Sequence, residues 1–131
     1  MTALDPVVDS VLFLDAPVGE RTALRASRCE TCGRVEFPRR TSCPACGTES
    51  VPCDLSGSAR LRVLTAVLAP PPGAKVPAPY QVGVAEFDEG VCVIGLVDGD
   101  ATKGDQVVPF VHEPYEDGRT FAFRRAQGAH L

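Results

Sequence analysis

Tryptophan is absent from this chain, and tyrosine occurs only twice among its 131 residues. Proteins that bind single-stranded nucleic acids without sequence preference stack the bases on exposed aromatic side chains. The chain also carries a net charge of −4, which argues against an affinity that depends mainly on neutralising phosphates. Both features disfavour a nucleic-acid-binding module, although neither excludes a local basic patch.

Long hydrophobic runs are missing as well. No stretch of about eighteen apolar residues is present, so no transmembrane helix is predicted. The opening MTALDPVVDS lacks the basic segment that begins a secretory signal. We therefore expect a cytoplasmic protein with no membrane partner.

Familiar catalytic motifs are also absent. The sequence contains neither a glycine-rich phosphate loop nor a Gly-x-Ser-x-Gly nucleophile turn. Neither histidine, His112 or His130, has triad-like neighbours, and His112 fits a strand end better than a general base. The acidic residues Glu86, Asp88 and Glu89 fit a polar hairpin turn. No catalytic residue is therefore assigned.

Cysteine, in contrast, is frequent, with six residues. Four form two Cys-x-x-Cys-Gly knuckles separated by ten residues: Cys29, Cys32, Cys43 and Cys46. Two such knuckles supply four thiolates, which suits a closed, structural zinc site. Rubredoxin-type iron uses similar knuckles, and ligands alone do not separate the two metals; disulfides are a third alternative. Cys53 and Cys92 lie outside the pattern, and Cys92 is predicted to be a small buried residue in a strand.

The segment around the knuckles, residues 25–53, is poor in apolar residues. It cannot build a hydrophobic core of its own, so a metal is predicted to organise it. It also carries five arginines: Arg25, Arg28, Arg34, Arg39 and Arg40. Because four thiolates around one divalent ion are negatively charged overall, these arginines either offset that charge or contact the phosphates of a ligand. The sequence alone leaves both roles open.

Residues 54–131 show the alternation typical of β-strands in five short segments. In the first segment, 58–68, alternate residues from Ala59 to Val67 are predicted to share a buried face, with Arg60 and Arg62 opposite. The other segments are 80–87, 91–97, 106–112 and 119–125; Pro109 suggests an edge strand or a bulge. A hairpin turn is predicted at 88–90, and the proline-rich stretch 69–79 is predicted to be an extended loop. Five strands in about seventy residues predict a small OB-type barrel or a similar five-stranded sheet.

Residues 1–24 are predicted to form a leader with a short helix. Asp5 fits an N-cap before Pro6, and one helix face is apolar: Leu4, Val7, Val8, Val11 and Leu12. A helix this short is not stable alone in water, so it packs either on its own domain or on a partner. The predicted protein is mainly β, with the leader at 1–24, a rubredoxin-like zinc ribbon at 25–53, an OB-fold at 54–126 and a tail at 127–131.

This order of modules resembles a bacterial and archaeal family of zinc-ribbon/OB-fold proteins associated with acyl-CoA, long catalogued only as a domain of unknown function. The resemblance extends from residue 24 to residue 125. It rests on several stretches: LRASRCETCG at 24–33, FPRR at 37–40, CPACG at 43–47, LSGSA at 55–59, PY at 79–80, EFDEG at 86–90 and GDQV at 104–107.

The resemblance implies a small accessory subunit whose catalytic residues sit on a partner. Family members accompany thiolase-like enzymes: thiolases, acyltransferases of polyketide type and retro-aldol lyases of steroid side chains. They complete or stabilise the acyl-CoA site, and two copies flank a partner dimer in a 2+2 assembly.

Carried over to this sequence, the resemblance makes the four knuckle cysteines the metal ligands. Phe37, Arg39 and Arg40 match the family's segment between the knuckles and are the candidates for contacting coenzyme A or the partner. Tyr80 is a further candidate for covering an apolar part of coenzyme A. The leader is shorter than the helix that often precedes the ribbon in the family.

Two other hypotheses stand beside the accessory subunit. Zinc ribbons and OB barrels both bind nucleic acids, but residues 54–131 hold ten acidic and only seven basic residues. The other hypothesis is an electron carrier with iron at the four cysteines, which would be red when ferric, whereas the zinc protein would be colourless.

Overall fold

The computed structural model describes residues 12–69, 72–73, 79–115 and 118–126. These residues form eight strands: β1 (Leu24–Cys29), β2 (Val35–Glu36), β3 (Ser50–Leu55), β4 (Ala59–Val67), β5 (Tyr80–Phe87), β6 (Cys92–Val97), β7 (Gln106–Tyr115) and β8 (Gly118–Arg125). The mainly β fold predicted from the sequence is confirmed. Nearly all of the predicted helix, most of the proline-rich loop and the tail lie outside the described residues. No helix in the described part of the chain is long and apolar enough to cross a membrane.

The first three strands form a small antiparallel sheet in the order β2-β1-β3. β1 pairs with β3 along its whole length, but with the two-residue β2 only at Ser27 and Arg28. The first cysteine knuckle connects β1 to β2, and the second precedes β3. The sheet is therefore a ribbon that carries both knuckles at one end.

The other five strands close into a barrel in the order β4-β5-β6-β8-β7. Neighbouring strands are antiparallel except β6 and β8, which run parallel. β7 returns to β4 through two residue pairs only, at Ala59 and Arg60. A closed five-stranded barrel with this strand order confirms the OB-type fold predicted from the sequence.

One hydrophobic core fills the barrel and continues into the ribbon. Phe123 and Leu61 are fully buried in the barrel, and Leu24 of β1 belongs to the same cluster. The packing is tight enough to require glycine at Gly83, where a Cβ atom would lie 2.7 Å from the backbone oxygen of Val63 and 2.8 Å from Leu61 Cδ1. The core therefore joins the two modules.

The alternation predicted for β4 holds only as far as Leu61. The register with β5 shifts between Leu61 and Val63. After this bulge, the side chains that were predicted to face the core face outward instead. Val63, predicted on the buried face, is 51% exposed, whereas Leu64 packs against the core. A shift of one residue exchanges the two faces of a strand. Apolar residues occur on both faces after Arg62, so the hydrophobic pattern does not reveal the bulge.

Cys92 differs from expectation, whereas Pro109 lies where one side of β7 has no barrel strand beside it, as an edge position predicts. Cys92 is exposed rather than buried. It is the first residue of β6 and lies opposite Glu86, on the outer face of the barrel. Pro109 is fully buried, and β7 does have a side without a barrel neighbour there. That side is covered, because the backbone N–H of Thr22 donates to the Pro109 carbonyl at 3.0 Å.

Residues 12–22, here called the strap, tie the ribbon to the barrel. At one end the N–H of Arg25 in β1 donates to the Leu12 carbonyl at 2.8 Å. At the other end the N–H of Gly19 donates to the Val111 carbonyl of β7 at 2.7 Å. The strap thus extends main-chain pairing from one module to the other.

Candidate functional site

The side chains of Cys29, Cys32, Cys43 and Cys46 converge at one end of the ribbon. All four sulfur atoms lie within 4.8 Å of one another, and those of Cys32 and Cys43 are 3.8 Å apart. Zinc–sulfur bonds of about 2.3 Å in a tetrahedron place the sulfur atoms about 3.8 Å apart. The donor set and its spacing therefore fit a four-coordinate zinc ion.

Each knuckle directs backbone N–H groups at its first sulfur atom. Those of Thr31 and Cys32 lie 3.4 and 3.5 Å from Cys29 Sγ, and that of Cys46 lies 3.4 Å from Cys43 Sγ. Hydrogen bonds of this kind favour the thiolate, the form that binds metal. The glycine that ends each knuckle has a positive φ, which glycine adopts without steric strain.

The free thiols differ in acidity. The hydroxyl of Thr48 and the nearby N–H groups lower the pKa of Cys29 to about 6. The pKa of Cys46 is raised to about 12, mainly by hydrogen bonding to Cys32 and to a smaller extent by burial. Because zinc binds thiolates, loading the site releases protons, including the one held by Cys46 at neutral pH.

Arg39 and Arg40, predicted as ligand contacts, line one pocket of about 520 Å³ beside the metal site. We call it the arginine pocket; its lining is Arg25, Arg39, Arg40, Thr41, Glu49, Ser50 and Pro52. Sequence reasoning singled out Arg25 only as one of five arginines and missed the other lining residues. The pairing of β1 with β3 sets Arg25 opposite Asp54, and no local pattern reveals that register.

Phe37 and Tyr80, the other two predicted contacts, lie apart from the arginine pocket. The ring of Phe37 meets that of Phe121 edge-on, with centroids 5.9 Å apart, where the ribbon adjoins the barrel. Tyr80 begins β5 and lines a different pocket of about 240 Å³, together with His112. The structure thus brings together two of the four predicted contact residues and separates the other two.

A row of apolar side chains crosses the outside of the barrel. Val63 lies opposite Val84, and Val84 lies opposite Ile94 on the next strand. Val63 is 51% and Ile94 69% exposed. We call these three residues the outer apolar row. Sequence reasoning missed it because the bulge in β4 places Val63 outside.

Four converging cysteines on a ribbon joined to a closed five-stranded barrel define a zinc-ribbon/OB-barrel protein. The family model described as the ChsH2 rubredoxin-like zinc ribbon domain matches residues 19–51, which include all four cysteines. A DUF35 domain-containing scaffold protein of Methanocaldococcus jannaschii is 35% identical over 107 residues, 77% of this chain and 76% of that protein. One from Methanothermobacter thermautotrophicus is 33% identical over 107 residues, 77% and 80% of the two chains. The chain belongs to the DUF35 family.

Two further similarities concern proteins of named complexes. The benzoylsuccinyl-CoA thiolase subunit BbsA of Thauera aromatica is 30% identical over 89 residues, 66% of this chain and 60% of that protein. The solved structure of the Ltp2-ChsH2(DUF35) aldolase matches with a TM-score of 0.64 and 25% identity, covering 79% of this chain and 84% of that one. The family resemblance inferred from the sequence is therefore confirmed.

Proposed function

We propose that this chain is a non-catalytic accessory subunit of a thiolase-like enzyme, which is a thiolase, an acyltransferase or a steroid side-chain aldolase. In that role it helps to form or stabilise the acyl-CoA site of the enzyme. The observation that carries the proposal is its similarity to scaffold proteins, to a thiolase subunit and to an aldolase complex. The metal site is consistent with a structural role, because four cysteine ligands leave zinc no open position for substrate.

The outer apolar row supports a partner surface on the barrel. Contiguous exposed apolar side chains mark interaction sites in soluble proteins. An ion pair between Arg62 and Glu86, 2.5 Å apart, borders the row on the same outer face. A desolvated apolar centre with a charged rim is the usual anatomy of a protein interface. We assign this face to the thiolase-like enzyme.

The finer parts of the proposal concern stoichiometry, ligand and location. Two copies of this chain flank a dimer of the enzyme in the cytoplasm, and coenzyme A thioester is bound where the proteins meet. Arg39 and Arg40 are the proposed contacts to coenzyme A or to the partner, which their shared pocket supports. Phe37 and Tyr80 remain predictions in that role.

The test is a tagged pull-down from the source organism at moderate salt, followed by mass spectrometry. The expected result is a thiolase-like enzyme in near-equal amount. Recovery of nucleic acid, or of no protein, would contradict the proposal and favour a free-standing binding module.

A matched pair of variants locates the surface. Val63→Asp places a charge in the outer apolar row and is expected to abolish capture. Val18→Asp makes the same change at a position of equal exposure, 50% against 51%, but in the strap, and is expected to keep it. Equal capture by both variants would remove the outer apolar row from the proposal, with thermal melting as the check on folding.

A further inference from the structure

The second half of β4 has one side without a neighbouring strand. β5 pairs with one side of residues 63–67, whereas β7 pairs with the other side only at residues 59–60. The backbone N–H of Leu61 donates to the Asp105 carbonyl at 2.9 Å. Beyond Leu61, the part of the chain that the structure describes supplies no main-chain partner on that side. We call this side of residues 63–67 the open edge. Every second residue there directs its N–H and C=O away from β5, so the open edge presents unpaired donors and acceptors.

Solvent reaches both faces of this end of β4. Successive residues of a strand point to opposite faces, yet Thr65 and Ala66 are both exposed. Leu68, directly after the strand, is 77% exposed. The end of β4 therefore extends beyond the core of the barrel and is accessible to a further strand.

Several other strand edges in the described chain are protected. The strap covers β7 at Pro109 and Val111, and β2 is only two residues long. On the outer side of β3, the N–H of Ser50 donates to the Thr41 carbonyl, and Pro52, two residues later, has no N–H to offer. Natural proteins protect sheet edges with such features, or with charged side chains, because an unprotected edge pairs with another chain.

The open edge has none of these protections in its own sequence. Residues 63–67 read VLTAV, with neither proline nor a charged residue. Valine and threonine, which favour strands, make up three of the five positions. The open edge is therefore suited to main-chain pairing with an added strand.

The segment is also complementary to itself. In an antiparallel pair centred on Thr65, Val63 lies opposite Val67 of the second copy. Leu64 lies opposite Ala66 of the second copy, and Thr65 lies opposite its own equivalent. Apolar residues thus meet apolar residues and threonine meets threonine, which are cross-strand pairs that stabilise sheets.

We propose that the open edge binds a second copy of this chain, with the two β4 strands antiparallel about a twofold axis at Thr65. A twofold interface requires such a self-complementary surface. Arg62 then lies opposite Leu68 of the second copy, so the two arginines are about 20 Å apart at 3.3 Å per residue and do not repel at close range. A strongly charged strand of another protein would find no opposite charge in the open edge, which favours the second copy. The proposal concerns the chain without its enzyme and does not depend on the proposed function.

The test is sedimentation velocity of the full-length zinc-loaded protein over a range of concentrations, with a monomer–dimer equilibrium as the expected result. Thr65→Lys and Thr65→Glu each place two like charges directly opposite one another. Each is expected to weaken dimerisation about fivefold, the size of one cross-strand pair. An equimolar mixture of the two variants is expected to recover the loss, because lysine then lies opposite glutamate. Ser56→Lys, a charge at an exposed position outside the open edge, is the control and is expected to have no effect.

Amide hydrogen exchange gives a second readout that needs no variant. As the protein concentration rises, every second N–H within residues 63–67 is expected to exchange more slowly, because it becomes hydrogen-bonded to the second copy. The N–H groups of β6 are expected to exchange at unchanged rates.

Four results would overturn the inference: a monomer at every concentration, a dimer that both Thr65 variants leave unchanged, no recovery in the mixture, or slow exchange at the open edge in a monomer. The last result would place another segment of the same chain on the edge. Melting temperatures of the variants separate lost pairing from lost folding. Enzyme capture in the pull-down is measured separately, so failure of this inference leaves the proposed function standing.

Discussion

The ribbon and the barrel hold their structures by different physical means. The most buried side chains near the knuckles are those of Cys29 and Cys43, which are metal-ligating types, whereas the barrel buries Leu61, Val107 and Phe123. The knuckle end of the ribbon therefore depends on coordination bonds, whereas the barrel depends on the removal of apolar surface from water. Leu24 of β1 and Leu55 of β3 belong to the core of the barrel. A module held by a metal needs few apolar residues, so its surface is free to carry the arginines of the pocket.

Removal of the metal should have the largest effect on stability. It should unfold the ribbon and leave the barrel folded. Chelation, or Cys43→Ser, takes away a binding free energy on the order of 10 kcal/mol or more. We expect hydrogen exchange to show loss of protection in β1 and β3, while β5 and β6 remain protected. Simultaneous loss in all strands would show that the barrel also needs the metal. Metal analysis and the visible spectrum of the purified protein separate zinc from iron.

A change inside the barrel should destabilise the barrel and leave the metal site of the ribbon intact. Gly83→Ala forces a Cβ against backbone and core atoms at less than 3.0 Å, and is expected to destabilise the protein by about 1–3 kcal/mol, as overpacking does. Thermal unfolding measures the loss, and zinc content should stay at one per chain. Gly57→Ala is the control, because a Cβ there meets nothing within 4 Å. Equal effects of the two changes would contradict the packing argument.

The contact between the modules should be weaker than either module's own interactions. A double-mutant cycle with Phe37→Leu and Phe121→Leu is expected to give a coupling energy of about 0.5–1.5 kcal/mol, the value of an aromatic pair. Denaturant unfolding of the four proteins measures it. Zero coupling would mean that this aromatic contact does not link the ribbon to the barrel.

The smallest effect is expected at a turn of the barrel. The backbone N–H of Thr102, 2.9 Å from Asp105 Oδ2, lowers the pKa of Asp105 below its usual value of 3.8. A carboxyl whose pKa is lowered on folding stabilises the protein above the unfolded pKa, and this stabilisation is lost as pH falls through the folded pKa. Asp105→Asn should therefore lower the melting temperature slightly at pH 7 and have a smaller effect below pH 3.8. An effect that is the same at both pH values would contradict this assignment.

The same comparison explains what the sequence predicts well. The metal site depends on local spacing, so the four cysteines are recognisable as two knuckles from the amino-acid sequence alone. The barrel strands follow from alternation, which locates five strands to within a few residues. Features that depend on long-range register are not visible in this way. The bulge after Leu61 exposes Val63, and the pairing of β1 with β3 brings Arg25 into the pocket with Arg39.

Long-range pairing also explains the strap. Nothing in residues 12–22 shows that Gly19 will bond to Val111, ninety-two positions later in the chain. The exposure of Cys92 could not be predicted from the sequence for a related reason. Alternation defines two faces of a strand, but it does not show which face is buried at the end of the strand.

The central claim is that this chain is an accessory subunit of a thiolase-like enzyme. Native mass spectrometry of the complex isolated from the source organism tests it most directly. The account predicts a mass equal to two copies of this chain, each with one zinc ion, and two copies of a thiolase-like enzyme. A free chain, an assembly with nucleic acid, or a complex that lacks such an enzyme would contradict it.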